Sequence, residues 1–209
     1  MLDIGCGLGG PARVVAGGFD CQVTGIDLTA DYVAAAKALT GWVGLTEKVS
    51  FDRGSALDLP YADGAFDAAY MLHVGMNIAD KAGLMREAAR VVAPGGTFGI
   101  YDIMLTGDPG LIFPVPWAAS AETSAVAPPE DYRATLTEAG FEIVAERNRR
   151  DFAIDFFHSQ RARVKAAGGP PPFGLHVVMG PEAQAKIANL TANIEAGRVA
   201  PVEIVARRS

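Results

Sequence analysis

Only two cysteines, Cys6 and Cys21, and three histidines occur among the 209 residues. So few thiols exclude a disulfide scaffold and point to a reducing, cytoplasmic setting. The histidines and cysteines are too few and too scattered to form a metal-ligand spacing, so no metal is expected. Aromatic residues make up 8% of the chain, and the net charge is -6 with no basic run. A nucleic-acid ligand is therefore not expected on bulk electrostatics. No apolar run approaches a membrane span, and no signal peptide precedes the first strand. Without a secretion signal, the glycosylation-like Asn189-Leu190-Thr191 is read as chance.

What the chain does have is apolar residues, 50% of the total, and 24 glycines. That suffices for one sizeable core and is short for two. The glycines are densest at the start, in Leu2-Asp3-Ile4-Gly5-Cys6-Gly7-Leu8-Gly9-Gly10. This stretch reads as a buried strand of about four residues, shorter than usual, then a turn, then a helix. The apolar residues flanking Asp3 leave the acid pointing at the turn. Gly5, Gly7 and Gly9 can take backbone angles closed to other residues and let a ligand approach the main chain. The following helix offers unpaired N–H groups to a polar, partly anionic ligand. Gly5, Gly7 and Gly10 fit the dinucleotide spacing G-x-G-x-x-G. Asp3 with Gly5, Gly7 and Gly9 fits D-x-G-x-G-x-G. A ligand-free glycine turn is the third reading.

Along the chain, strands and helices alternate, which implies crossover connections and a parallel sheet. A short helix over 11–18 should end at Gly17-Gly18. Strands are expected at 21–26, 49–53, 65–72, 97–104, 141–147 and 202–206. Helices are expected at 30–40, with Thr29 as N-cap, and at 81–92, 128–139, 152–167 and 181–196. Pro94-Gly95-Gly96 should break the chain before the fifth strand. The stretch 105–127, with Phe113, Pro114, Pro116 and Trp117, is an apolar, irregular insertion, and 168–173 is a Pro/Gly loop. Asp27 closes the second strand, 22 residues after Gly5. An acid there can accept both hydroxyls of a ribose or cap the next helix.

Five segments in order carry a resemblance: LDIGCGLGG at 2–10, GIDLT at 25–29, RGSALDLPYADGAFDAAY at 53–70, REAARVVAPGGTFGIYD at 86–102 and LTEAGFEIV at 136–144. Together they resemble the class I S-adenosylmethionine-dependent methyltransferases, specifically the ubiquinone/menaquinone-type, methyltransferase type 11-like small-molecule branch. The resemblance implies a Rossmann-like, doubly wound α/β fold. Its sheet has seven strands, the last antiparallel, and a helical and loop cap covers the carboxyl edge. A single domain over 1–209 is implied, with cap insertions at about 105–127 and 152–196. It also implies S-adenosylmethionine as cofactor. Gly5, Cys6, Gly7 and Gly9 form the turn that holds its methionine end, and Asp3 orients its amino group. Asp27 holds the ribose, Leu28 packs on the adenine, and Ser55, Ala56 and Leu57 edge it. Leu72 and His73 lie by the sulfonium. Two departures stand out. Ser55 occupies a place where the family often has Asp, and the family's additional N-terminal helices have no counterpart before Leu2.

The implied reaction is an in-line displacement at the sulfonium methyl by a small-molecule acceptor. It needs a general base only where the nucleophile must lose a proton. His73, at the carboxyl end of strand four, is the candidate base, or else only lines the pocket. His158 and His176 read as structural or pocket-lining. Phe113 and Trp117 are candidate substrate-pocket residues, or a lid packing on its own core. A nicotinamide-dependent oxidoreductase and a non-catalytic cofactor-binding domain remain the competing readings, and a homodimer remains open.

Overall fold

A computed structural model describes residues 1–209, with Leu175 described by its backbone alone. Seven strands form one sheet: β1 (Leu2–Ile4), β2 (Val23–Asp27), β3 (Val49–Arg53), β4 (Phe66–Leu72), β5 (Val92–Leu105), β6 (Phe141–Asn148) and β7 (Val199–Arg208). Their spatial order is β3-β2-β1-β4-β5-β7-β6. The pairs among β1 to β5 are parallel, and β7 runs antiparallel to both β5 and β6. This is the expected Rossmann-like sheet with its last strand reversed. Strand order turns back between β1 and β4, and ligands of open α/β sheets bind in the crevice beyond the strand ends at such a point.

β1 is wholly buried; Leu2 and Ile4, both at 0% exposure, share one face of the sheet, and Asp3 between them points to the other. On one face lie α3 (Lys81–Val91) and α4 (Pro129–Glu138). Leu84, Met85, Ala88 and Leu136 there pack against Met71, Phe98, Ile100 and Ile204 of the sheet. Each such side chain taken from water contributes about 1.5–3 kcal/mol. On the other face lie α1 (Gly10–Phe19) and α2 (Ala30–Trp42). Ala12, Ala16, Val33 and Ala36 come down on Cys6, Val23, Val49 and Phe51, the small residues allowing close approach. A third cluster joins Met76, Ile103 and Val199 to α5 (Arg150–Ala166) and α7 (Ala183–Glu195) through Ala153, Leu190 and Ile194.

Several boundaries differ from those expected. α1 runs through Gly17-Gly18 to Phe19, where Asp20 supplies the left-handed cap at φ 50°. β5 begins at Val92, which already pairs with Phe66; residues 93–96 then bulge out of the ladder, with Gly95 at φ 77°, and pairing resumes at Thr97 opposite Ala68. Thr29 occupies the N-cap of α2 without a side-chain bond. The Asp27 carboxylate accepts the N–H of Thr29 itself at 2.9 Å. A short helix, α6 (Leu175–Met179), precedes α7, and β7 is longer at both ends because it pairs along β5 from Thr97 to Leu105.

Candidate functional site

The turn after β1 hangs from β2 by its main chain. The Gly5 and Cys6 N–H groups both donate to the Ile26 carbonyl, at 2.8 and 3.0 Å. The Gly7 N–H donates to Asp27 Oδ2 at 2.9 Å. Asp27 Oδ1 takes the Thr29 N–H, so each carboxylate oxygen has one backbone donor and keeps accepting capacity. Gly5, Gly7 and Gly9 all have positive φ. They are glycines for different reasons. A Cβ on Gly5 would strike Val74, and one on Gly9 would strike the Phe51 ring at 2.4 Å. A Cβ on Gly7, at φ +52°, would meet nothing within 4 Å. Gly7 is thus the place where the main chain is open to an incoming group.

Beneath the turn, Asp3 is 1% exposed and stands opposite Tyr70 across the β1–β4 ladder. Asp3 Oδ2 and Tyr70 Oη are both buried without a hydrogen-bond partner among the described residues. A buried orphan carboxylate oxygen is costly. Burial raises the Asp3 carboxyl to about 7, and the Asp27 charge adds to the rise while Tyr70 works against it. Burial likewise pushes the Cys6 thiol up to about 12, which makes it a packing residue rather than a nucleophile.

The loop after β3 completes one wall. Gly54 N–H donates to the Asp27 carbonyl at 3.1 Å, and Arg53 Nε to the Leu28 carbonyl at 3.3 Å. Ser55 Oγ accepts the Leu57 N–H at 3.1 Å, closing a tight turn around Ala56. Leu28 and Leu57 are exposed, at 68% and 41%. The structure therefore brings Asp3, Gly5 to Gly9, Asp27, Leu28 and Ser55 to Leu57 to one crevice at the β1/β4 switch. Sequence reading missed what holds that loop. On α3, Glu87 Oε2 accepts the Leu59 N–H at 2.7 Å, and Arg90 donates to the Tyr61 and Leu59 carbonyls at 2.6 and 2.7 Å. An acid and a base three apart on one helix were the only sign.

His73 follows Leu72 at the end of β4 with φ 59°, a left-handed backbone at a residue that is not glycine. Its N–H donates to the Tyr101 carbonyl at 2.8 Å, and its ring meets the Tyr101 ring edge-on at 5.1 Å. The imidazole keeps access to solvent, but the surrounding walls strip part of its hydration and hold its pKa below the ordinary value. The next turn, Gly75–Asn77, is pinned from below: Asp102 Oδ2 accepts the Met76 N–H at 3.0 Å and the Tyr132 hydroxyl at 2.7 Å. Lys81, 7% exposed, donates to the Ile78 and Ala125 carbonyls at 2.6 and 2.7 Å. This buried network also went unread in the sequence.

Phe113 and Trp117 lie in the long connection between β5 and α4. Trp117 Nε1 donates to Ser124 at 2.9 Å, and its ring packs on the cluster of Met76, Ile103, Leu190 and Ile194. The buried Asn193 of α7 exchanges two hydrogen bonds of 2.9 Å with Ile112. The insertion is therefore clipped to α7, and through Met76 it rests on the turn behind His73. His158 bonds Glu195 at 2.8 Å on the exposed α5–α7 surface. Among the described residues no cluster of metal-ligating side chains occurs, and no helix is long and apolar enough to cross a membrane.

Comparison with known proteins finds a family model described as Methyltransferase domain over residues 2–100. Ajmaline N-methyltransferase from Rauvolfia serpentina is 46% identical over 97 residues, 46% of this chain and 33% of that enzyme. The matched part of this chain thus corresponds to a third of that curated relative. The crystal structure of the [4+2]-cyclase SpnF gives a TM-score of 0.75 at 28% identity, covering 99% of this chain and 74% of that one. Geranyl diphosphate C-methyltransferase from Streptomyces coelicolor, in complex with geranyl diphosphate and S-adenosylhomocysteine, gives 0.79 at 16% identity, covering 100% and 71%.

Proposed function

We propose, from the premise that residues 2–100 are a methyltransferase domain, that this chain transfers a methyl group from S-adenosylmethionine to a small-molecule acceptor. The observation that carries this reading is the crevice where the Gly7 N–H meets Asp27 above the orphaned Asp3 carboxylate. An ammonium group would satisfy that orphan, and the open space at Gly7 admits a polar chain against the backbone. Asp27 has accepting capacity left for two ribose hydroxyls. Leu28 offers an exposed apolar face to a purine, and Ser55, Ala56 and Leu57 edge the same wall. S-adenosylmethionine, when bound, supplies a methyl already activated by the positive charge of its sulfonium. The protein's part is then to align donor and acceptor and keep water out, which is worth roughly 7–11 kcal/mol in favourable systems. Leu72 and His73 face the methionine end. His73, neutral near pH 7, can accept a proton where the acceptor must lose one. The cap formed by 105–127 and 152–196, read as part of one domain, closes the acceptor side.

Isothermal titration with S-adenosylhomocysteine on the wild type and Asp27→Ala tests this. Micromolar binding that Asp27→Ala abolishes supports it. Binding of NADH in its place would turn the reading to a nicotinamide-dependent oxidoreductase. A second reading rests on the 28% identity to a [4+2]-cyclase along nearly the whole chain. Cofactor binding with no methyl transfer to any acceptor, but with ring closure of a polyene, would favour it.

A further inference from the structure

Among the described residues, six of the fourteen large apolar side chains left exposed lie between Phe152 and Val178. Two of them stand together on α5. Phe152 is 55% and Phe156 45% exposed, and their nearly parallel rings have centres 6.5 Å apart. Phe156 meets Phe157 edge-on at 5.5 Å, and Phe157 packs on the cluster of Ala153, Leu190 and Ile194. The exposed pair therefore has a fixed support. With about 100° per residue, Arg149, Phe152, Phe156 and Arg163 fall on one stripe of the helix. At the N-cap, the Arg149 guanidinium carbon lies 4.8 Å from the centre of the Phe152 ring.

The charge of this segment runs against that of the chain. Residues 149–165 hold five cations and two acids, in a chain whose net charge is -6. The ion pairs of the segment are Arg150–Asp151 at 3.6 Å and His158–Glu195 at 2.8 Å. Among the described residues, Arg149, Arg161, Arg163 and Lys165 have none. Asp151 and Asp155 sit about a quarter-turn or more round the helix from the centre of the stripe. The sheet register also sets where α5 begins. Asn148 stands level with Val202, and Val202 with Asp102, the residue after Tyr101. Leu72 stands level with Tyr101. α5 thus leaves the sheet from the same edge as His73.

We propose that this face of α5 docks the chain on a lipid surface that carries anionic headgroups. Phe152 and Phe156 enter the interfacial layer, and Arg149 and Arg163 meet headgroups on either side of them. A hydrophilic polyanion would match the cations but leave both rings in water; a lipid interface takes the two together. The helix lies on the membrane, since among the described residues no helix is long and apolar enough to cross one. Docking stands on α5 alone. That an acceptor reaches His73 from the lipid rests on the function proposed above.

The test is sedimentation of the full chain with vesicles of phosphatidylcholine, alone or with about a third phosphatidylglycerol. Wild type is expected to bind the anionic vesicles at least about tenfold more tightly, and to lose that preference at about 1 M salt. Arg163→Gln, at an exposed position, should weaken anionic binding about fivefold. The double variant Phe152→Ser/Phe156→Ser should weaken it about tenfold or more, with its fold checked by circular dichroism. Lys37→Gln, on α2 at the far side of the sheet, should bind as wild type does. No vesicle binding, equal binding to both vesicles, or anionic binding that Arg163→Gln leaves intact overturns the proposal. Self-association that the double variant abolishes, without vesicle binding, gives the face to a second copy and overturns it too. S-adenosylhomocysteine titration of the same samples separates the readings. Vesicle binding without S-adenosylhomocysteine binding keeps the docking face and overturns methyl transfer, and the reverse result overturns the docking face alone.

Discussion

Tyr132 donates its hydroxyl to Asp102 at 2.7 Å where both residues are 0% exposed. The bond joins α4 to β5, and the same carboxylate oxygen holds the Met76 N–H of the turn behind His73. There is no spare room: a Cβ on Gly75 would come within 2.5 Å of Asp102 Oδ2 and 2.7 Å of Tyr132 Oη. Tyr132→Phe should therefore cost about 1–3 kcal/mol in urea unfolding, the penalty of a buried acceptor deprived of a donor. Burial raises the Asp102 carboxyl from its ordinary 3.8 to about 6. Between those values the folded chain holds a proton that the unfolded chain has lost. The contribution of Asp102 is then fully present below pH 3.8 and is lost as pH rises through about 6. Asp102→Asn should remove this part of the pH dependence; an unchanged stability profile would show that Asp102 does not titrate in this window.

The buried Asp3 gives the second pH signature, in ligand affinity. Its carboxyl is raised to about 7 by burial, and an ammonium ligand favours the ionised form. Binding therefore expels the proton below pH 7, and S-adenosylhomocysteine affinity should climb as pH rises to about 7 and then level off. Asp3→Asn should bind more weakly with no slope across that interval. A slope that persists in Asp3→Asn would assign it to another group.

Most of the sheet was legible because its strands are apolar or alternating runs bounded by turn residues; Val49–Arg53, which alternates Val and Phe with polar residues, matches at both ends. The crevice was legible because its residues sit in short contiguous motifs, from Leu2 to Gly10 and around Asp27. What escaped reading depends on residues far apart in sequence. Asp102 and Tyr132 are 30 positions apart, and Lys81 and Ala125 are 44 apart. Neither pair has a local pattern, since a buried ion network leaves no periodicity. The caps escaped for a different reason. Thr29 is a good N-cap by type and does occupy that position, but its hydroxyl accepts no N–H of the first turn, while its own N–H is held by the Asp27 carboxylate.

The three turn glycines should separate by measurement. Gly9→Ala drives a methyl into the Phe51 ring and should cost about 1–3 kcal/mol of stability through overpacking. Gly7→Ala meets no neighbour, so it should cost only the strain of a left-handed residue, about 1–2 kcal/mol. Its methyl would nevertheless stand where the main chain faces the crevice. Gly7→Ala should thus lose S-adenosylhomocysteine binding out of proportion to its stability. Retained binding in Gly7→Ala would remove this turn from the ligand's path.

Trp117 tests how the cap and the crevice divide their work. Its indole is anchored by Ser124 and packed against Met76, Ile103 and the two cap helices, none of which belongs to the wall of Asp27 and Ser55. Because the residue is half-buried, Trp117→Ala should cost less than the ~3–5 kcal/mol of a fully buried aromatic. The loss should fall on the cap, loosening the insertion over the turn that follows His73. S-adenosylhomocysteine affinity is then expected to hold within about twofold, while acceptor binding and turnover drop by tenfold or more, since misplacement near the reacting atoms is costly. Equal loss of both affinities would mean that the cap and the cofactor crevice move as one unit, and that Trp117 has no separate part in holding the acceptor.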